Sequence, residues 1–571
     1  MPLLRRSART TALALVGLLA LTACTASTPE RQATREVKTS DPDAALTVID
    51  AADARDASVA TSRELFESSP VVVVAPIDDA KAQELAARAA IGLGVPLLIG
   101  DAGKATTTDK ATAEPENSTT PNATSTPDEK DAPSLVAELG RLGTTTAVAI
   151  GNVQPMKEKD ESAFTLERVK ATAAAVSDAT GLELDTLTDD DPAGFAAAIV
   201  AHEPAASDRP SSSSTPAPVP QPKRASPLED TVALVVDGPA NLASIATARA
   251  AGVPVHLVPQ ASANPQAHAS VVDALHASTT TRTMAIGVEF AAQPALGWKI
   301  RTARSGVQLP GGGQLLFPQH QFVALYGTPS TGVLGVLGEQ DAAASVQRAR
   351  DIAAPYEALT DKTVVPMFEI IATVAAGGPG ADGNYSNELS VDGLRPFVDA
   401  AAAAGLYVVI DLQPGRTDFL TQAKLYQPLL ELPNVGLALD PEWRLGADQV
   451  PLQQIGSVSA VEVNSVTTWL ADLVNEKGLP QKMLVLHQFR PAMISDRTSL
   501  DLSRPEVALL IHADGQGGQG DKQATWANLH ADAPSGIHWG WKNFYDEDLP
   551  MLTPEQTMDA VFPAPDLITY Q

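Results

Sequence analysis

The chain has 571 residues, with 68 acidic against 40 basic side chains and a formal net charge of −28. Its length calls for several domains. Its charge argues against nucleic acid, because no basic face is available to neutralise phosphates, and against adhesion to anionic lipid by charge alone. All six Trp and all seven Tyr lie after residue 297, so the chain divides into two chemically different halves. A site built on aromatic faces belongs in the second.

The first residues read as a secretion signal. Arg5, Arg6 and Arg9 form a basic region, and Thr11–Leu21 is an apolar stretch too short for a stable span. Leu21-Thr22-Ala23-Cys24 follows and resembles the bacterial lipobox. The resemblance implies cleavage before Cys24 and acylation of its sulfur and new amino group with chains such as palmitate. Membrane attachment through lipid at Cys24, on the outer face of the cell membrane and towards the cell wall, is the localisation this implies. Cys24 is the only cysteine, so no intrachain disulfide forms. No later stretch is long and apolar enough to span a membrane.

Residues 1–23 are thus read as signal peptide and 24–69 as a polar tether. In 70–155, Val71–Ala75 and Val95–Ile99 read as strands around an Ala-rich helix at Asp79–Ala90. A helix at Ser134–Leu142 and a strand at Thr146–Ile150 complete the unit. A thirty-residue insertion rich in Thr, Asn, Glu and Pro, 102–131, interrupts it and is expected to be disordered. Residues 156–202 form an α/β connecting segment, and 203–228 a Ser/Pro linker. A second copy occupies 229–290: Val232–Val236, the helix Leu242–Ala251, Ser270–His276 and Thr283–Gly287. Gly252-Val253-Pro254-Val255 repeats Gly94-Val95-Pro96-Leu97. Strands alternating with helices imply parallel sheets covered on both faces. The stretches VVVVAPIDDAKAQELAARAA, GVPLLIG and LVAELGRLGTTTAVAIG resemble the bacterial cell-wall-binding repeat type 2. That family attaches surface proteins to anionic wall polymers, so a wall polymer or glycan is the implied partner.

Residues 291–571 continue the alternation. Strands are expected at Phe322–Tyr326, within Thr363–Val374, and at Tyr407–Leu412, Val435–Leu439, Lys482–His487, Val507–His512 and Gly536–Trp541. An eighth falls at Gly297–Thr302 or Gln314–Phe317. The fold class is α/β: repeated parallel α/β units followed by a (β/α)8-like barrel, with an open doubly wound sheet as the alternative.

The stretch Val435–Trp443, VGLALDPEW, organises this half. A buried strand ends at Asp440, and Pro441 stops sheet pairing. With extended backbone, Asp440 and Glu442 point the same way; the alternative is a helix cap by Asp440. The other strand ends deliver Tyr326, Glu369, Asp411, Gln413, His487, His512, Asp514, Trp539, Trp541 and Lys542, and a barrel converges such ends on one mouth. Carboxylates with aromatic faces suit a sugar site. Glu442, Asp411 and Asp440 are the candidate catalytic groups, Glu442 as proton donor and an aspartate as base or nucleophile. Trp443, Trp539, Trp541, Tyr326, Glu369, His487 and Asp514 are the candidate substrate-binding groups. The architecture resembles glycoside-hydrolase barrels. The stretches GGGQLLFP, LGVLGEQ, DLQPGR, ALDPEWRL, LHQF and WKNFYDED resemble those of actinobacterial surface lipoproteins.

Three functions remain open at this stage: a glycan hydrolase at the cell envelope, a noncatalytic glycan-binding lipoprotein, and a metal-dependent hydrolase using His487, His512 and Asp514. No cofactor is expected. Gly515–Gly520 spells G-x-G-x-x-G, but Asp514 beside it and the lack of a later ribose-binding acid favour an active-site loop over a dinucleotide loop.

Overall fold

The computed structural model describes residues 36–103, 134–154, 164–184, 192–203 and 219–571. Cys24 with the signal segment, the insertion from 104 onward, and residues 204–218 of the linker lie outside the described residues. The end of that linker is packed rather than extended. Val219 is buried and its N–H bonds to Ala179 O at 3.2 Å, because the segment carries its own apolar side chains, Val219 and Leu228.

Among the described residues, the first half holds two four-stranded parallel sheets. Val71–Pro76 is buried on both faces and lies between Leu97–Gly100 and Thr146–Ile150, with Thr165–Val169 at the edge. Thr231–Val236 takes the same place in the second sheet, between Val255–Val258 and Arg282–Ile286. The fourth strand there is Leu46–Ile49, which precedes the first unit in sequence and pairs with Thr283–Ile286. The repeat is therefore interlocked: the first sheet takes its edge strand from after its own unit, and the second from before both. The helices Ala80–Leu93 and Leu242–Ala250 share one core between the sheets, since alanines such as Ala86, Ala90 and Ala246 permit close approach. Thr247 Oγ1 closes the joint by bonding to the backbone of Leu97 in both directions, at 3.1 Å each.

The second half is a closed barrel of eight parallel strands. In chain order these are β1 His320–Gly327, β2 Thr363–Ala375, β3 Tyr407–Leu412, β4 Val435–Leu439, β5 Lys482–Gln488, β6 Val507–Ala513, β7 His538–Asn543 and β8 Leu567–Tyr570. β1 pairs with both β2 and β8, which closes the ring. The strand Ser386–Glu388 adds an antiparallel partner to the end of β2. The eighth strand is thus Leu567–Tyr570. Gly297–Thr302 lies inside the helix Leu296–Ala303, and Gln314–Phe317 forms no strand. That helix belongs to the second sheet's core through Leu296, Ile300 and Ala303.

Side-chain alternation separates two cores. Residues such as Phe322, Met367, Val409, Ala438, Val485 and Leu510 fill the interior of the barrel. Residues such as Phe368, Ile410, Leu437, Leu486 and Ile511 face the surrounding helices. The floor is plugged by Leu309, Leu316 and Phe317, which join the interior cluster just before β1 begins. Phe317 also stacks on His538 at 4.1 Å between ring centres. Nearby, Trp298 packs against Val474 and Leu479, so the first half is fastened beneath the strands' N-terminal ends.

Candidate functional site

One phase of the alternation runs through all eight strands and ends in a polar layer. The inward positions at this level are Tyr326 on β1, Glu369 on β2, Asp411 on β3, His487 on β5, His512 on β6, Lys542 on β7 and Thr569 on β8; Asp440 follows directly after β4. All are buried. An apolar interior thus gives way to ionisable groups at the C-terminal face, where parallel barrels build their sites.

A cavity of about 710 Å³ opens above this layer. Tyr326, Asp440, Asp514 and Lys542 form its base, and Glu442, Gln413, Arg490 and Gln516 its polar walls. Trp443, Phe489 and Phe544 supply aromatic surface. Gly515 and Gln516 place the glycine-rich stretch in the wall, where Lys522 Nζ holds Gly515 O at 2.8 Å.

Glu442 reaches the cavity by a turn, not by continued strand alternation. Pro441–Trp443 is one turn of 3-10 helix, and Asp440 Oδ1 accepts the Glu442 N–H at 3.1 Å. The cap and the cavity position coexist, because Asp440 caps with one oxygen while its carboxylate faces inward. Glu442 is half-buried. Burial raises its pKa, and the negative charge of Asp514 adds to the rise.

Beneath the cavity base, His487 is the hub. Its Nε2 donates to Glu369 Oε1 at 2.7 Å and its Nδ1 to Asp514 Oδ2 at 3.0 Å. Burial acts to lower its pKa, but the charges of Asp411 and Glu369 and these two hydrogen bonds raise it well above the usual histidine range. His512 has the opposite fate. Burial, reinforced by the positive charges of His487 and Lys542, lowers its pKa well below the ordinary value and keeps the ring neutral. Burial also raises Asp440 strongly, helped by the charges of Asp411 and Asp514. Asp514 moves the other way: burial opposes its ionisation, but the His487 hydrogen bond and charge prevail.

The aspartate expected beside Glu442 lies deeper. Asp411 is fully buried and sits outside the cavity lining, where Tyr326 Oη donates to its Oδ2 at 2.9 Å. The carboxylate acting most strongly on Glu442 is Asp514. Two expected aromatic groups are also elsewhere. Trp539 and Trp541 face the helix layer, since Gly540 and Lys542 hold the inward phase of β7. Trp539 stacks on His530 at 3.6 Å between ring centres, and Trp541 Nε1 bonds to Asn543 Oδ1 at 2.9 Å. Trp443 and Tyr326 line the cavity, while Glu369 and His487 form its understorey. Lys542, whose Nζ stands 3.5 Å from the centre of the Tyr326 ring, is one of the strand-end groups but was given no role, and Arg490 was not among them. The inward phase of β7 was the signal for Lys542; no local signal marks Arg490.

Fold and site together define an α/β protein whose (β/α)8 barrel opens into a carboxylate-rich, aromatic-walled cavity. No protein-family model and no curated protein matches the chain. Among solved structures, it is similar to Cwp6 from Clostridium difficile, with 11% identity and a TM-score of 0.30, over 60% of this chain and 67% of that one. It is also similar to a truncated 3-deoxy-D-arabino-heptulosonate 7-phosphate synthase from Thermotoga maritima, with 16% identity and a TM-score of 0.18, over 39% and 75%. The fold assignment rests on the strand pairing.

Proposed function

We propose that this protein is a glycan-cleaving hydrolase, held at the bacterial cell surface by lipid on Cys24 and acting on cell-envelope or environmental polysaccharide. The observation that carries the reading is the pairing of Glu442 and Asp514 in one cavity with aromatic walls. Carboxyl groups whose surroundings push their pKa values in opposite directions suit the acid and base roles of glycosidic cleavage. Glu442, with its raised pKa, donates a proton to the leaving oxygen. Asp514, held ionised by His487, acts at the anomeric carbon, directly or by deprotonating water. Asp440 stays protonated in the base and contributes a hydrogen-bond donor. Trp443, Phe489 and Phe544 offer faces for the apolar sides of sugar rings. Lys542 and Arg490 favour substrates carrying acidic groups.

The test is release of reducing ends from a panel of envelope and environmental polysaccharides, followed by the same assay with Glu442→Gln and Asp514→Asn. Both variants should bind glycan and fail to cleave it. Binding without cleavage by the wild-type protein would support the noncatalytic glycan-binding alternative.

A further inference from the structure

The cavity base rests on four buried side-chain atoms that the hydrolase reading does not use in full. Among the described residues, Glu369 Oε2, Asp411 Oδ1, His512 Nδ1 and Asp514 Oδ1 are buried with no hydrogen-bond partner. Leaving a buried polar atom unpaired costs about 1–3 kcal/mol, and more for a charged one. Such a cluster therefore calls for a ligand.

Two of the four atoms face each other, and a third stands beside His487. His512 Nδ1 and Glu369 Oε2 are 4.0 Å apart, and Asp411 Oδ1 is 3.9 Å from His487 Nε2. Ligand atoms of Glu369, His487 and His512 all lie within 4.8 Å of one another. The geometry points to a divalent transition-metal site, of the class that takes zinc, ligated by His487 Nε2, His512 Nδ1 and a carboxylate oxygen of Glu369, with Asp411 beside them. Tetrahedral zinc with bonds of about 2.0–2.1 Å sets neighbouring ligand atoms roughly 3.3 Å apart, so His512 Nδ1 and Glu369 Oε2, at 4.0 Å, close by about 0.7 Å on binding.

The second observation is the outer shell. A metal-binding histidine usually has its far ring nitrogen held by a carboxylate or another acceptor, which fixes ring and tautomer. Both histidines here are held in this way. Asp514 Oδ2 accepts from His487 Nδ1 at 3.0 Å, which leaves Nε2 directed inward. Thr569 Oγ1 lies 3.0 Å from His512 Nε2, and with the proton on Nε2 the free lone pair is on Nδ1, facing Glu369. Asp514 is thus a positioning residue for the ion rather than a ligand. Tyr326 Oη holds the other oxygen of Asp411. Binding displaces the Nε2 proton of His487, which leaves as the metal–nitrogen bond forms. Two imidazoles disfavour magnesium and calcium, which prefer oxygen alone. Asp514 and His487 are shared with the acid–base reading above and Glu442 is not, so a Glu442 variant tells the two readings apart.

The test uses the full chain, stripped with dipicolinate and titrated with zinc by calorimetry. One zinc per chain should bind, and a large excess of magnesium should not displace it. His512→Gln and Glu369→Gln should lose the site. Asp514→Asn should weaken it about 10–100-fold. Glu442→Gln should bind as wild type while losing turnover, which separates this site from the hydrolase reading. X-ray absorption of the zinc-loaded wild type should show imidazole scattering, and this holds even where a variant fails to fold. Absence of stoichiometric zinc, absence of imidazole scattering, or an equal loss of zinc in Glu442→Gln would overturn the assignment.

Discussion

Gly540 and His512 face each other across β6 and β7 so closely that a Cβ on residue 540 would stand 2.6 Å from His512 Cδ2. The backbone of β7 is ordinary there, so the glycine is required by space and not by φ. Gly540→Ala should push the imidazole out of the inner layer and cost about 1–3 kcal/mol, the usual range for overpacking. Urea unfolding checks the loss. In a double-mutant cycle, His512→Ala should recover part of it, because the smaller side chain vacates the contested volume.

Glu442→Gln should leave the unfolding midpoint unchanged, since the side chain is half-exposed and neither caps nor pairs. Turnover on any glycan the wild type cleaves should fall about 10²–10⁴-fold. The pH dependence has a defined sign. A general acid works only while protonated, so wild-type activity should be present below the raised pKa of Glu442 and fall as pH rises through it. Rates measured across that limb should show it in wild type and not in the variant's residual activity.

Trp443→Ala and Trp539→Ala should separate binding from stability. Trp443 lines the cavity, and its removal should weaken glycan binding roughly tenfold, about 1.4 kcal/mol, with the fold intact. Trp539 is buried among Trp526, His530 and the helix layer, and its loss should cost about 3–5 kcal/mol of stability. Glycan affinity and thermal midpoints, read on both variants, distinguish the two outcomes.

Lys482 provides a pH-linked stability test far from the mouth. It is fully buried at the start of β5, where Nζ donates to Leu432 O at 2.8 Å and Val435 O at 2.6 Å. Burial lowers its pKa from 10.5 to about 7. Between these values the unfolded chain binds more protons than the folded one, so stability rises with pH from about 7 to about 10.5. Denaturant midpoints at pH 7 and pH 9.5 should differ more in wild type than in Lys482→Met.

Most of the barrel was readable from its sequence because seven strands carry apolar runs followed by a polar or aromatic end. The eighth, Leu567–Tyr570, has four residues and no long flanking helix, so periodicity barely registers. Leu46–Ile49 escaped for a different reason. Its partners begin at Thr283, and no local pattern records a pairing across so many residues. In the site, Asp440, Glu442, Asp514, Trp443 and Tyr326 were legible as strand-end residues. Trp539 and Trp541 were misread because strand phase decides everything: a shift of one residue sends a side chain to the opposite face. Asp411 holds the expected phase, but depth is invisible in a linear pattern, and Tyr326 stands over it.

Fastening the first half beneath the barrel, through Trp298 and the plug of Leu309, Leu316 and Phe317, sets a direction for the molecule. The opening looks away from the two sheets, so neither sheet stands in the approach to Glu442. A long molecule can cross the mouth as a tangent, without its ends having to pass either sheet.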